Sequence, residues 1–257
     1  MHAKYELNGQ VAVVTGASSG NGINTALKIV QAGGDVFLAA NGPEPQMQEA
    51  AARCRAANPK ARVEWGIYDL GEPEAPVRMV GDALARLGRI DILINNVGIR
   101  SRHPFGEFSC DDFDRLIAVN LRAAFLASQA VLPAMRKQGG GRIIHVASQL
   151  GIVAYKDSAL YGVAKAGLIF LGRAMAYELA KDNIIVNTIS PGVIMSEVNV
   201  ERLKHNPEML AERVAVIPAG RYGEPDEVAE SILYLAAGAP PYLQGHNLVV
   251  DGGYISH

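Results

Sequence analysis

The chain has 257 residues, 49% of them hydrophobic, which suffices for a large core in an α/β protein of one domain. Its 24 Lys plus Arg nearly balance 26 Asp plus Glu, so no broad field marks a nucleic-acid or anionic-membrane partner, and any anion recognition has to be local. Only Cys54 and Cys110 occur, the first residues hold no apolar signal core, and no apolar run of about 18 residues is visible; a soluble protein of the reducing cytoplasm, with no membrane span, is expected.

Short runs rich in β-branched residues recur at 11–15, 36–40, 63–68, 90–95, 142–147, 184–189 and 247–251, and read as strands buried on both faces. Between them the stretches 24–31, 73–87, 113–136, 161–181 and 225–237 have helical length and period. This alternation predicts an α/β fold, a doubly wound, seven-stranded parallel sheet of Rossmann type with helices on both faces. Pro133 is expected to kink or end the helix over 113–136. Right-handed crossovers place ligands at the carboxyl edge of such a sheet, so the residues that follow the strands carry the chemistry.

After the first run comes Thr15-Gly16-Ala17-Ser18-Ser19-Gly20-Asn21-Gly22-Ile23, then a helical stretch. Glycines there let the backbone turn sharply and approach a pyrophosphate, while the helix start offers unpaired N–H groups and the positive end of its dipole. On spacing alone the same loop also suits an ordinary strand-to-helix turn. Further on, Tyr161 and Lys165 are four apart in a helical stretch and share one face. A nearby ammonium favours the phenolate, which turns a tyrosine from a poor base into a usable one. An ordinary amphipathic face would give the same spacing, but residues 160–179 are apolar on nearly every side, where a lysine needs a partner or a task.

Taken with Asn95-Asn96-Val97-Gly98, Ser148, Tyr161-x-x-x-Lys165, Pro191-Gly192 and Val250-Asp251-Gly252-Gly253, the loop gives the chain its resemblance to the short-chain dehydrogenase/reductase family, over residues 7–253. The resemblance implies that Ser148 hydrogen-bonds the substrate oxygen, Tyr161 exchanges the proton, Lys165 also binds the nicotinamide ribose, and Asn120 holds a water connecting Lys165 to solvent. It implies cofactor contacts at Gly16, Ser18, Ser19, Gly20, Asn21, Asn96, Ile194 and Ser196, with Asp69 and Leu70 toward the adenine. Asn21 stands where isoleucine is usual, Val97 where alanine is, and Ser196 where threonine is common. Residues 1–257 are then expected to form a single dinucleotide-binding and catalytic domain with a small substrate lid at about 195–214, assembled as a homotetramer.

An acid after the second strand would bind an unphosphorylated ribose, and a basic residue there would pair with a 2'-phosphate. The chain has Ala40, Asn41 and Ser19, so NAD is expected over NADP, with Asn41 near the ribose. No metal is expected, because the histidines form no ligand-spaced cluster. Substrate contacts are expected at Arg100, Arg102 and His103 after the fourth strand, and at Gln149 and Tyr155 between Ser148 and Tyr161. Arginine suits bidentate carboxylate binding, although Glu107, Asp111, Asp112 and Asp114 offer these cations surface partners instead. Arg102-His103-Pro104-Phe105 and the segment 217–223 are similar to the gluconate 5-dehydrogenase and 2-dehydro-3-deoxy-gluconate dehydrogenase branch, which implies a sugar acid or other hydroxy acid. The Pro218-Ala219-Gly220-Arg221 stretch is shared with 3-oxoacyl-thioester reductases, which keeps thioester ketones and cyclic alcohols as alternatives. A dinucleotide-binding protein without turnover is the remaining one.

Overall fold

The computed structural model describes residues 5–195 and 214–256. Seven parallel strands form one sheet: β1 (Val11–Thr15), β2 (Asp35–Ala40), β3 (Val63–Ile67), β4 (Ile92–Asn95), β5 (Gly141–Val146), β6 (Ile184–Pro191) and β7 (Asn247–Val250). Their spatial order is β3-β2-β1-β4-β5-β6-β7. The order reverses between β1 and β4, where Ala12, Val13 and Val14 pair with Ile92, Leu93 and Ile94, and a crevice opens beyond the carboxyl ends of those strands.

Alternation along β1 explains why helices cover both faces. Ala12 and Val14 point into a cluster with Ile23, Ile29, Leu38 and Ile232, whereas Val11 and Val13 point into another with Phe37, Met79, Leu93, Val131 and Val186. The first cluster is closed by α1 (Gly20–Gln31), α2 (Glu44–Ala57) and α7 (Pro225–Leu233). The second is closed by α3 (Ala75–Leu87), α5 (Ala123–Gln138) and α6 (Ala159–Leu179). Helix α2 is absent from the stretches read off the sequence; Met47, Ala50, Ala51 and Cys54 do follow helical spacing, but three of the four are too small or too reactive to mark an apolar stripe.

The expectation for Pro133 fails. Residues 110–138 form a continuous helical run in which α4 (Cys110–Ile117) passes through a π turn at Ala118–Arg122 into α5, and Pro133 lies inside α5 rather than at its end. Pro133 and Gln129, whose carbonyl loses its helical partner, are both solvent-exposed, while Val131 and Met135 keep the helix on the sheet. In addition, Cys110–Gln138 and Ala159–Asp182 are long and apolar enough to cross a membrane by length and composition. Both pack on the sheet here, which occupies one apolar face of each; the other face of α6 leaves Val163, Phe170 and Tyr177 exposed.

His145 of β5 is fully buried, with Asn95 Nδ2 at 3.2 Å from its Nδ1. Burial, with the Lys165 charge added, pushes its pKa down to about 3. The folded value lies below the unfolded value of about 6.5, so this contribution to stability is complete above that pH and is lost as pH falls toward about 3. Urea unfolding at about pH 7 and about pH 5 is expected to show wild type losing roughly 1 kcal/mol per pH unit more than His145→Asn. Parallel losses in the two proteins would show that His145 is not buried neutral.

Candidate active site

The crevice is built by the segments that leave β1, β4, β5 and β6. After β1, Gly16 has φ +66°, and a Cβ there would lie 3.0 Å from Asn96 Nδ2 and from Val97 Cα. At Gly22 a Cβ would strike the Gly16 carbonyl oxygen. Only glycine lets α1 start this close to the strand end. Asn96 fixes the arrangement from β4, its Nδ2 donating to Thr15 O at 2.8 Å while the Asn96 and Val97 amides donate to Thr15 Oγ1 at 2.9 and 3.0 Å. Ser19 takes the N-cap position with extended backbone and makes no side-chain cap bond, so the α1 terminus keeps N–H groups for an anion. Asn21 Oδ1 is buried without a hydrogen-bond partner. This cradle and orphaned acceptor fit a dinucleotide.

The described residues line a cavity of about 700 Å³. Of the residues expected from sequence it brings together Asn21, Asn96, Arg100, Arg102, Ser148, Gln149, Tyr155, Tyr161, Lys165 and Ile194. Gly16, Ser18, Ser19, Gly20, Asn41 and Asp69 do not line it; they follow β1, β2 and β3 along the same edge. Leu70 is buried in the core beside Phe37 and Tyr68, so its side chain is packing. Asp69 is engaged by Arg115 at 3.0 Å, and that hydrogen bond, with help from the Gly71 amide, holds its carboxyl below the usual carboxylate range. Asn120 and His103 are not lining residues either. His103 packs edge-on against Phe108 with its Nε2 3.8 Å from Asp112, the surface pairing that the acidic stretch offered. Ser196 and nearly all of the expected lid lie outside the described residues.

Tyr161 and Lys165 face the cavity from α6, only 8% and 2% exposed. Lys165 Nζ donates to Val146 O at 2.7 Å and lies 5.8 Å from the Tyr161 ring centroid. Burial pushes the Lys165 pKa down; the Tyr161 phenol pulls it partly back and Arg100 lowers it further. For Tyr161, burial pushes the phenol up, but Lys165 and Arg100, together with side-chain hydrogen bonds to Arg100 and Ser148, outweigh it and leave the phenol below its ordinary value. Ser148 Oγ accepts the Leu150 amide at 3.2 Å, which orients the hydroxyl at the end of β5. Gln149 is 3% exposed and its Oε1 has no hydrogen-bond partner, an acceptor left for a ligand. A phenol so placed can exchange a proton with a hydroxyl beside Ser148.

Sequence reasoning missed Tyr254 and Val216 as lining residues. The sign for Tyr254 was present in Asp251, whose carboxylate accepts the Gly253 and Ile255 amides at 2.9 Å each and turns the chain back toward the crevice.

A family model described as enoyl-(acyl carrier protein) reductase matches residues 16–255. The chain belongs to the short-chain dehydrogenase/reductase family. It is 36% identical over 255 residues to 2-dehydro-3-deoxy-D-gluconate 5-dehydrogenase of Escherichia coli, with 98% of each chain covered. It is also 36% identical over 251 residues to D-threitol dehydrogenase of Mycolicibacterium smegmatis, covering 97% of this chain and 94% of the relative. A solved structure from Beutenbergia cavernae, described as an NAD(P) dependent gluconate 5-dehydrogenase with bound NADP, superposes with a TM-score of 0.91 at 33% identity, covering 99% of this chain and 100% of the other. As a member of this family the chain is an oxidoreductase of CH–OH groups that binds a nicotinamide dinucleotide.

Gly22→Ala is expected to weaken dinucleotide binding more than tenfold in a fluorescence titration, because displacing the Gly16 carbonyl disturbs the N–H groups of the cradle and each charge-assisted bond is worth about 1.5–3 kcal/mol. Unchanged affinity would mean that the loop does not carry the pyrophosphate.

Proposed function

We propose that this protein interconverts a secondary alcohol and a ketone on a hydroxy acid of the sugar-acid type, with Tyr161 exchanging the proton. The observation that carries the substrate class is the charge of the cavity: its described lining includes Arg100, Arg102 and Lys165 and no Asp or Glu. A chain with 26 acidic and 24 basic residues has no general excess of cations to scatter there, so a local anion site is the simplest reading.

When bound, a nicotinamide dinucleotide would supply the hydride acceptor, and the residues that would hold it are the Gly16–Gly22 loop, Asn96 and Ile194, with Asn41 and Asp69 further along the same sheet edge. Ser148 donates to the substrate oxygen and fixes its distance from Tyr161. In oxidation the Tyr161 phenolate takes the hydroxyl proton as the carbinol hydrogen leaves as hydride and the C–O bond becomes a carbonyl. In reduction the phenol returns the proton. Lys165 favours the phenolate and lowers the phenol from its ordinary value. Asn120 holds the loop before Arg100 through its two side-chain bonds to Ile99 and keeps the proton path from Lys165 to solvent. Arg100 and Arg102 pair with the carboxylate, and Gln149 and Tyr155 meet the remaining hydroxyls.

The coenzyme in this reading is NAD, because Ser18, Ser19, Ala40 and Asn41 offer no cation to a 2'-phosphate. The NADP of the Beutenbergia cavernae relative weighs against it. Titration decides the point, with NAD expected to bind at least about tenfold tighter than NADP; tighter NADP overturns the preference. The exposed Val163, Phe170 and Tyr177 of α6, seven apart on one face, favour the homotetramer, as does Phe125 on α5. The mass of a single chain in light scattering would exclude it. Free Cys54 and Cys110 agree with a cytoplasmic setting.

Tyr161→Phe is expected to bind dinucleotide normally and lose at least about 100-fold in turnover. In a screen of sugar acids, hydroxy acids, neutral polyols, cyclic alcohols and acyl thioesters, turnover is expected on the carboxylates, with KM raised about tenfold or more by Arg100→Ala or Arg102→Ala. Turnover confined to neutral or thioester substrates would overturn the sugar-acid reading, and near-normal activity of Tyr161→Phe would overturn the acid/base assignment.

A further inference from the structure

Arg100 has a closer relation to Tyr161 than a carboxylate anchor needs. Its Cζ lies 4.5 Å from the Tyr161 ring centroid, nearer than Lys165 Nζ at 5.8 Å. The loop that carries it is pinned on both sides. Asn120 Oδ1 accepts the Ile99 amide at 2.9 Å and its Nδ2 donates to Ile99 O at 3.0 Å, so both ends of a buried side chain grip the residue before Arg100. On the other side Ser101 Oγ donates to Asp112 Oδ1 at 3.0 Å. Gly98 allows the loop to run against Lys165, for a Cβ there would lie 2.8 Å from Asn120 Oδ1 and 3.4 Å from Lys165 Nζ. The backbone on both sides of Arg100 is therefore held, and its guanidinium over the phenol ring favours the phenolate, whose charge spreads into the ring, over the neutral phenol.

We propose that Arg100 is a second cation of the acid/base centre: together with Lys165 it acts on the Tyr161 phenolate from the loop side and so sets the pH range in which the alcohol is oxidised. This rests on Tyr161 being the proton acceptor, and it holds whether the substrate is an acid or a neutral alcohol. Among the described residues, the other groups that act on Tyr161 are Lys165 on its own helix and Ser148 after β5, and the shared cavity wall adds Asn21, Asn96, Arg102, Gln149, Tyr155 and Tyr254. No carboxylate in the described lining competes for Arg100. Arg100 is also solvent-exposed, so its influence is screened and smaller than that of the buried Lys165.

The test is the pH dependence of kcat for alcohol oxidation by wild type, Arg100→Gln, Arg100→Lys and Tyr161→Phe, at saturating concentrations of whichever alcohol is turned over fastest. Loss of a cation raises the phenol pKa, so the acidic limb of Arg100→Gln is expected to move to higher pH. Near neutral pH its kcat falls about tenfold, and at alkaline pH it returns to within about twofold of wild type. Arg100→Lys, which keeps the charge, is expected to lie between the two. Effects of Arg100 on KM report on carboxylate binding and those on the limb of kcat report on Tyr161, so either assignment can fail alone. Coincident limbs for wild type and Arg100→Gln would overturn the proposal, and so would a limb that survives unchanged in Tyr161→Phe.

Discussion

Everything at this site depends on a buried ammonium. Lys165 is 2% exposed and donates a hydrogen bond to the Val146 carbonyl at 2.7 Å. A cation removed from water to this extent is costly unless an anion or strong dipole faces it. The group available is the Tyr161 phenol one helical turn away, and the two stabilise each other's charged forms against the desolvation that both suffer. The helix that holds them can be this apolar only because the sheet covers one of its faces. Its outward face then remains apolar as well, which connects the acid/base pair to the surface on which the proposed assembly rests.

The fold supplies the geometry by ordinary means. Reversal of strand order between β1 and β4 opens the crevice, the loop after β1 closes one side with a backbone tight enough to exclude Cβ atoms, and the loop after β4 closes the other. Asn96 and Asn120 are the two fasteners. Asn96 ties the β4 end to Thr15 and Gly16, and Asn120, from the π turn, ties the next residues to the long helix. The π turn interrupts the regular ladder where Asn120 must aim its amide at Ile99. The cavity gathers three cations in a protein with no broad positive field, Arg100 and Arg102 from the loop after β4 and Lys165 from α6.

The strands and the sheet class were readable because the inner strands are buried on both faces and the runs of Val and Ile are short and bounded, although the edge strands β3 and β7 are only partly buried. The glycine loop and the Tyr161–Lys165 pair stood out because the loop follows the first strand and the lysine lies in an apolar helix, context that spacing alone does not give. Other features depended on contacts remote in sequence. Arg100 was legible as a candidate anchor, but nothing in its neighbourhood in the chain shows that its guanidinium meets a ring 61 positions away. Asn120 reads as a water-holding group from its family position, and its side-chain bonds to the backbone of Ile99, 21 positions away, do not show in the chain. His103 shares the composition of a ligand cluster with Arg100 and Arg102, yet α4 places Asp112 beside it and takes it out of the cavity lining. Pro133 broke a local rule without consequence because its side of α5 faces water.

The central claim is that the cations around Tyr161 hold its phenol below the ordinary range in the protein itself, before any substrate binds. The ultraviolet difference absorbance of tyrosinate, followed through a pH titration of wild type and Tyr161→Phe, reads this directly, since the chain has nine tyrosines and the variant removes one. The account predicts that one tyrosinate appears in wild type below the usual tyrosine range and is missing from the variant. Two titrations that differ only at or above that range would contradict it.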